Sequence, residues 1–301
     1  MVSGTDQAES RLSPRAVTWA GLVGNVVLSA AKMAAGVVFA SQAILADGLH
    51  SLSDCATDIA VLAGLRISRR PADESHLYGH RRAVTLVTAV LGLVLLTAAA
   101  LVGAQAILTF AEKHPDGIRP AVPLAMAIAS VVIKEAMYRV TLRVGRKAGD
   151  MSLVANAWHH RSDAFSSIAA AAGLTAVLIG GPKWQFMDHA TALVLASFLI
   201  VVAVQILRQA VQELMDRAPD AEVMVRIRDA VSATEGVQDF HAVRARRLGS
   251  KVEMDVHVLV DPDLTVAEGH DIATNVHDAV VACCPFVLNV VVHIEPTDAD
   301  D

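Results

Sequence analysis

Aromatic residues make up only 4% of the 301-residue chain, and charged residues only 19%. Cys55, Cys283 and Cys284 are the only cysteines. Three thiols cannot build a disulfide framework, which excludes a small secreted scaffold and suits a reducing interior. Glycine and proline are too sparse, at 18 and 10 residues, for a collagen-like or disordered chain. The first 15 residues are polar and lack the apolar core of a cleaved signal. Basic residues are scarce towards the end: residues 209–301 hold 18 Asp/Glu against 7 Lys/Arg, a net of −11, leaving +5 for residues 1–208. Such an acidic part lacks the basic face that nucleic acid requires, and it would attract cations.

What the chain has in excess is apolar side chains, 54% of all residues, with a mean hydropathy of +0.47. They are bunched. Ala83–Ala111, Ala164–Pro182 and Ala190–Leu207 run for 29, 19 and 18 residues without a charge. A bilayer core needs about 20 apolar helical residues, so each run is close to or beyond a span. Together with their neighbours they predict six membrane helices, at 15–38, 43–67, 82–110, 120–144, 152–179 and 187–208. Lys32 interrupts the first, and Lys134–Glu135 the fourth. With the N-terminus in the cytosol, 12 basic residues flank the helices inside and only Lys113, Arg119 and Lys183 outside. That bias places both termini in the cytosol. After Pro219 the pattern changes to alternation, as in Val256, Val258 and Val260 or Val290, Val292 and Ile294. A helix (220–234), strand (237–247), strand (251–260), helix (265–283) and strand (287–294) predict a small α+β domain with its sheet covered on one face. Gly249–Ser250 is the expected hairpin turn. The division is a tail over 1–14, a transmembrane domain over 15–208 and a cytosolic domain over 209–301.

Ionisable groups are costly in hydrocarbon, so those inside the predicted spans point to function. Asp47, His50, Asp54 and Asp58 of the second helix fall within about 80° of arc. The fifth helix repeats the spacing with Asn156, His159 and Asp163. In both helices the His and Asp lie roughly 10–16 Å from the end, so the two pairs reach one depth from opposite sides. Two imidazoles and two carboxylates form an N₂O₂ set suited to tetrahedral Zn²⁺. A hydrogen-bonded His–Asp pair can also serve only to hold helices together, but a second matching pair has no such reason to exist. Asp47 and Asn156, one turn away, would hydrogen-bond the ligands rather than the ion. Asp58 suits a solvated access path. His160, about 100° from His159, reads as a supporting or packing residue.

Three motifs and the C-terminal histidines resemble the cation diffusion facilitator family over nearly the whole chain. The motifs are Leu45-Ala-Asp-Gly-Leu-His-Ser-Leu-Ser-Asp54, Pro71-Ala-Asp-Glu-Ser-His-Leu-Tyr-Gly-His80 and Ala157-Trp-His-His-Arg-Ser-Asp163. The resemblance implies a homodimer: a six-helix transmembrane bundle followed by a cytosolic ferredoxin-like domain, with the transported ion on His50, Asp54, His159 and Asp163. It makes Asp73, His76 and His80 a loop metal site, although by their residues alone they read equally as a solvated loop. The Glu often found four residues after the last His is Val84 here. It assigns His241, His257, His270, His293 and Glu295 to a cytosolic metal cluster, where scattered surface histidines are the other reading. It also pairs Arg82 with Asp216, between the third helix and the base of the sixth near the dimer contact. Cys283–Cys284 fit burial at a helix end better than thiolate ligation.

The expected activity is Zn²⁺/H⁺ antiport across the inner or plasma membrane by alternating access, with Zn²⁺ both cargo and regulatory ion. Proton coupling follows because imidazoles must be deprotonated to bind metal. Cd²⁺, Co²⁺, Ni²⁺, Fe²⁺ and Mn²⁺ are alternative cargoes. A non-transporting metal sensor is a further alternative. A membrane zinc hydrolase would need an open metal position and a general base, and no His-Glu-x-x-His is present. The partners expected are a second copy, divalent cations, protons and the lipid bilayer, with no nucleic acid.

Overall fold

The computed structural model describes residues 13–110, 119–249 and 251–297. The expectations for residues 1–12, Lys113 and Ser250, and the Asp58 side chain, lie outside what is described. Helix α1 (Pro14–Val38) starts at Ser13, whose hydroxyl accepts from the Ala16 N–H at 3.2 Å. Then follow α2 (Gln42–Ser68), α3 (Ala83–Phe110), α4 (Ala121–Ala148), α5 (Met151–Gly180) and α6 (Phe186–Leu214). All but α2 are long and apolar enough to cross a membrane. Helix α2 is long enough at 27 residues, but Asp47, His50 and Asp54 interrupt it. The largest difference from expectation is the end of α6, which passes the expected Arg208 and runs to Leu214. The uncharged run stops at Leu207, yet an apolar stripe continues with Ala210, which is buried.

Residues up to Ile59 with Leu91–Gln205 form one compact unit, and Ala60–Val90 with the residues from Ile206 form a second. In the first unit small residues let helices approach closely. A Cβ at Gly36 would lie 2.8 Å from Leu45, and one at Gly48 would lie 2.9 Å from Met33, so α1 and α2 touch along backbone. The core beside them is alanine-rich, with Ala43, Ala46, Ala127, Ala170 and Ala192 all fully buried. Helix α4 packs along α5 and against α1.

A carboxylate from another helix caps the start of α2. Buried Asp188, in the first turn of α6, accepts from the Ser41 hydroxyl at 2.6 Å and from the Gln42 and Ala43 N–H groups at 2.7 and 3.3 Å. The free N–H groups of a helix start are thereby satisfied by a charge that also suits the helix dipole.

In the second unit, α7 (Ala221–Ser232), β1 (Asp239–Leu248), β2 (Lys251–Val260), α8 (Val266–Cys283) and β3 (Val287–Pro296) follow the expected order. The sheet runs β1-β2-β3, antiparallel within the hairpin and parallel from β2 to β3 through α8. Gly249 takes φ +63° in the hairpin turn. On β2 burial alternates strictly, and Val256 and Val258 join Ile227, Val231, Val276 and Val280 in a dry core. The opposite face of β2 carries His257. A Thr265–Glu268 capping box starts α8. Arg82 contacts Asp216 through Nη2 and donates from Nη1 to the Leu214 carbonyl at 3.2 Å, tying the start of α3 to the end of α6.

Asp188→Ala strips three donors of a buried acceptor and is expected to destabilise the protein by about 2–4 kcal/mol. Thermal melting of the detergent-solubilised chain checks this, with Asp188→Asn recovering part of the loss.

Candidate metal-binding sites

Helix α2 presents His50 and Asp54 one turn apart, with Nε2 and Oδ2 3.9 Å from each other. Helix α5 adds Asp163, and one ligand atom from each of His50, Asp54 and Asp163 lies within 4.8 Å of the others. His159 stands one turn before Asp163, with its Nδ1 3.6 Å from Asp163 Oδ1, and is the more exposed. All four expected residues are thus gathered, three tightly and His159 at the rim. Among the described residues, His50 Nδ1 and Asp54 Oδ2 are buried with no hydrogen-bond partner. Orphaned buried acceptors are costly, and a divalent cation would satisfy them. Phe198 of α6 meets the His50 ring edge-on at 5.7 Å and limits its freedom.

The structure reveals two buried ammonium groups that the spacing did not anticipate as partners. Lys134 Nζ lies 2.7 Å from Asp163 Oδ2, and Lys32 Nζ lies 2.9 Å from Asp47 Oδ2; both lysines are fully buried. Lys32 also donates to Ser51 and Ser167 at 3.0 and 2.9 Å. Ser166 and Ser167 donate to Asp47 Oδ1 at 2.8 and 3.2 Å. Ser166 also reaches the Asp163 carbonyl at 2.9 Å, so Asp47 is joined to α5 through hydroxyls. Asn156 is half-buried on α5. His160 is buried with neither ring nitrogen bonded, packed beside Gly21. Part of the signal was present: Lys32, a lone charge in an apolar run, requires a buried counter-charge, although nothing in the spacing names the partner.

The loop between α2 and α3 gathers Asp73, His76 and His80 within 4.8 Å. Asp73 Oδ1 accepts from the His76 and Ser75 N–H groups at 2.7 and 3.0 Å. The His76 N–H first, then the Ser75 hydroxyl at 3.0 Å and its N–H, hold the carboxyl down at about 2. The ring centroids of His76 and His80 are 4.4 Å apart.

In the C-terminal sheet, His241, His257 and His293 are direct neighbours across β1, β2 and β3. Glu295 Oε2 is 2.7 Å from His241 Nε2, and Oε1 is 2.7 Å from His257 Nδ1 and 3.3 Å from His293 Nε2. One carboxylate is therefore the hub of three imidazoles. Four of the five expected residues meet here. His270 does not; it lies on α8 beside a cavity of about 510 Å³ with Asp261 and Thr265. Burial pushes the Cys283 thiol up to about 11, which disfavours a thiolate there, and Cys284 is fully buried at the end of α8.

Residues 18–215 match the family profile described as "Cation efflux transmembrane domain" and residues 219–297 the one described as "Cation efflux protein, cytoplasmic domain". The chain belongs to the cation diffusion facilitator family. It is 31% identical to the "Manganese efflux system protein MneP" of Bacillus subtilis over 94% of this chain and 96% of that one. It is 34% identical to "Metal tolerance protein C1" of Arabidopsis thaliana over 92% of this chain, which spans 61% of that relative. Among solved structures, "MamM-CTD 215-293" is 31% identical over 25% of this chain and 95% of that one, with a TM-score of 0.25. As a family member the chain is a multi-pass membrane transporter of metal cations, not an enzyme.

The hydrogen bonds from His241 and then His257 hold Glu295 below its ordinary value of 4.5. A depressed carboxyl stabilises the fold above its unfolded-state value, and that gain is lost as pH falls through the folded-state value. Glu295→Gln is therefore expected to flatten the melting-temperature profile below about pH 4.5, with melting measured across pH for both proteins.

Proposed function

We propose that this chain exports Zn²⁺ from the cytosol in exchange for protons, with His50, Asp54, His159 and Asp163 as the transport site. The observation that carries the reading is the convergence of His50, Asp54 and Asp163 within 4.8 Å, with two of their buried polar atoms unpartnered. Two imidazoles with two carboxylates favour Zn²⁺ over harder ions. Protons compete with metal for the same imidazoles, so an inward proton gradient drives metal outward. Alternating access exposes the site to each side in turn. The bias of basic residues supports a reading with both termini in the cytosol and the carrier in the inner or plasma membrane.

Two copies form the working unit in this reading, joined through the C-terminal domains, whose −11 charge becomes tolerable once cations bind. Metal on the C-terminal cluster and on Asp73, His76 and His80 then serves regulation. His270, which stands apart from the other four, is left outside the C-terminal cluster in this reading, and Asp47 and Asn156 support the transport ligands. The Arg82–Asp216 pair braces the helix ends near the dimer contact. Mn²⁺ is the second reading, because a relative 31% identical over nearly the whole chain is named for manganese efflux.

Asp54→Ala or Asp163→Ala is expected to abolish Zn²⁺ uptake into inside-out vesicles while the protein still inserts. Flux near that of the unaltered chain in either variant would sink the site assignment. His50→Asp leaves one imidazole with three carboxylates, and Mn²⁺ or Cd²⁺ transport should rise relative to Zn²⁺. A panel of ions in proteoliposomes reads the ranking, and an unchanged order would show that His50 does not set the choice.

A further inference from the structure

We propose that Lys134 is a tethered cation that competes with the transported metal for Asp163 and so sets how tightly the metal is held. The proposal rests on reading His50, Asp54 and Asp163 as the transport site. Lys134 Nζ sits 2.7 Å from Asp163 Oδ2, and neither side chain is more than marginally exposed. The same carboxylate lies within 4.8 Å of the His50 and Asp54 ligand atoms, while its other oxygen faces His159 at 3.6 Å. Asp163 is therefore shared between an ammonium group and a metal position. Among the described residues, Asp163 is the sole hydrogen-bond acceptor of Lys134. Lys32 differs: it has its own carboxylate on Asp47 and two hydroxyls, with no metal ligand at its ammonium.

Charge decides the consequence. With no metal bound, Asp163 is matched by Lys134, so the carboxylate can stay inside an apolar bundle. A divalent ion on Asp54 and Asp163 neutralises both carboxylates and leaves the ammonium as surplus positive charge a few ångströms away. Like charges in a low-dielectric site repel strongly. Coupling is reciprocal: the ion weakens the Lys134–Asp163 pair, and that pair weakens the ion. A carrier needs this, because a site that binds too tightly cannot release its cargo. Lys134 lowers affinity and matches the Asp163 charge while the site is unloaded.

The test uses the full chain with Asp73, His76, His241 and His257 replaced by Ala, so that the α2–α5 site reports. Zn²⁺ is titrated against a chelating dye in detergent, and flux is followed in proteoliposomes. Lys134→Met and Lys134→Gln should each bind Zn²⁺ at least tenfold more tightly, with both KM and maximal flux reduced. Lys134→Arg keeps the charge and should bind like its parent. Gln retains a donor to Asp163, so parental affinity in Lys134→Gln alone would show that Lys134 acts by orienting the carboxylate, overturning the proposal. Equal or weaker binding in both neutral variants would also overturn it. Should Lys134→Met be too unstable to purify, the Zn²⁺-induced rise in the melting temperature of Lys134→Gln decides. A larger rise than the parent supports competition, and an equal or smaller rise overturns it. Absence of Zn²⁺ binding in the parent itself would remove the transport-site reading rather than the charge argument alone.

Discussion

Burying an ionised group without a partner costs several kcal/mol, and breaking a buried pair costs about 3–5 kcal/mol. That constraint orders the helical unit. Asp47 and Asp163 cannot stand alone between helices lined with alanine, so each meets a lysine from a facing helix. Lys32 reaches from α1 to α2 and Lys134 from α4 to α5, the very helices that carry the candidate metal ligands. Among the described residues, Asp54 has no ammonium partner. Its Oδ2 is left, with His50 Nδ1, as an unmet demand in the interior. The site is thus defined as much by which carboxylate lacks a cation as by which residues are ligands.

Close backbone contact makes such exact pairing possible. Gly48 lies between Asp47 and His50, where a side chain would strike Met33 and Lys32. The glycine that lets α1 approach α2 therefore also brings Lys32 within reach of Asp47. Packing and electrostatics are one solution here, because small residues draw the helices near enough for short ion pairs.

The polar stripe on α2, its repeat on α5 and the switch to two-residue alternation after Pro219 were legible, because helix and strand periods are written directly in residue spacing. The strand bounds fell within a residue or two. Partners across helices were not legible. Nothing in the spacing says that Lys134 should face Asp163, because that depends on how two helices rotate about their own axes. The Asp188 cap was missed for the same reason: it joins residues about 146 positions apart. The end of α6 was misplaced because the loss of an uncharged run marks a change of environment, not the end of a helix. In the sheet, the register of three strands turns scattered histidines into a row. Sequence shows that His293 and Glu295 share a face, but not that His241 and His257 stand beside them.

The cap that Asp188 places on α2 has a mechanical side. Gln42 precedes His50 by eight residues, roughly 12 Å along the helix. At its first residues, α2 is thus clasped to α6 by a carboxylate that holds its terminal amides. In the proposed carrier, a swing that turns the candidate ligands from one side to the other must carry that end of α6 with it, or pivot at a point beyond the clasp. The first two turns of α2 and the start of α6 form a single lever arm, and the bending has to be found elsewhere.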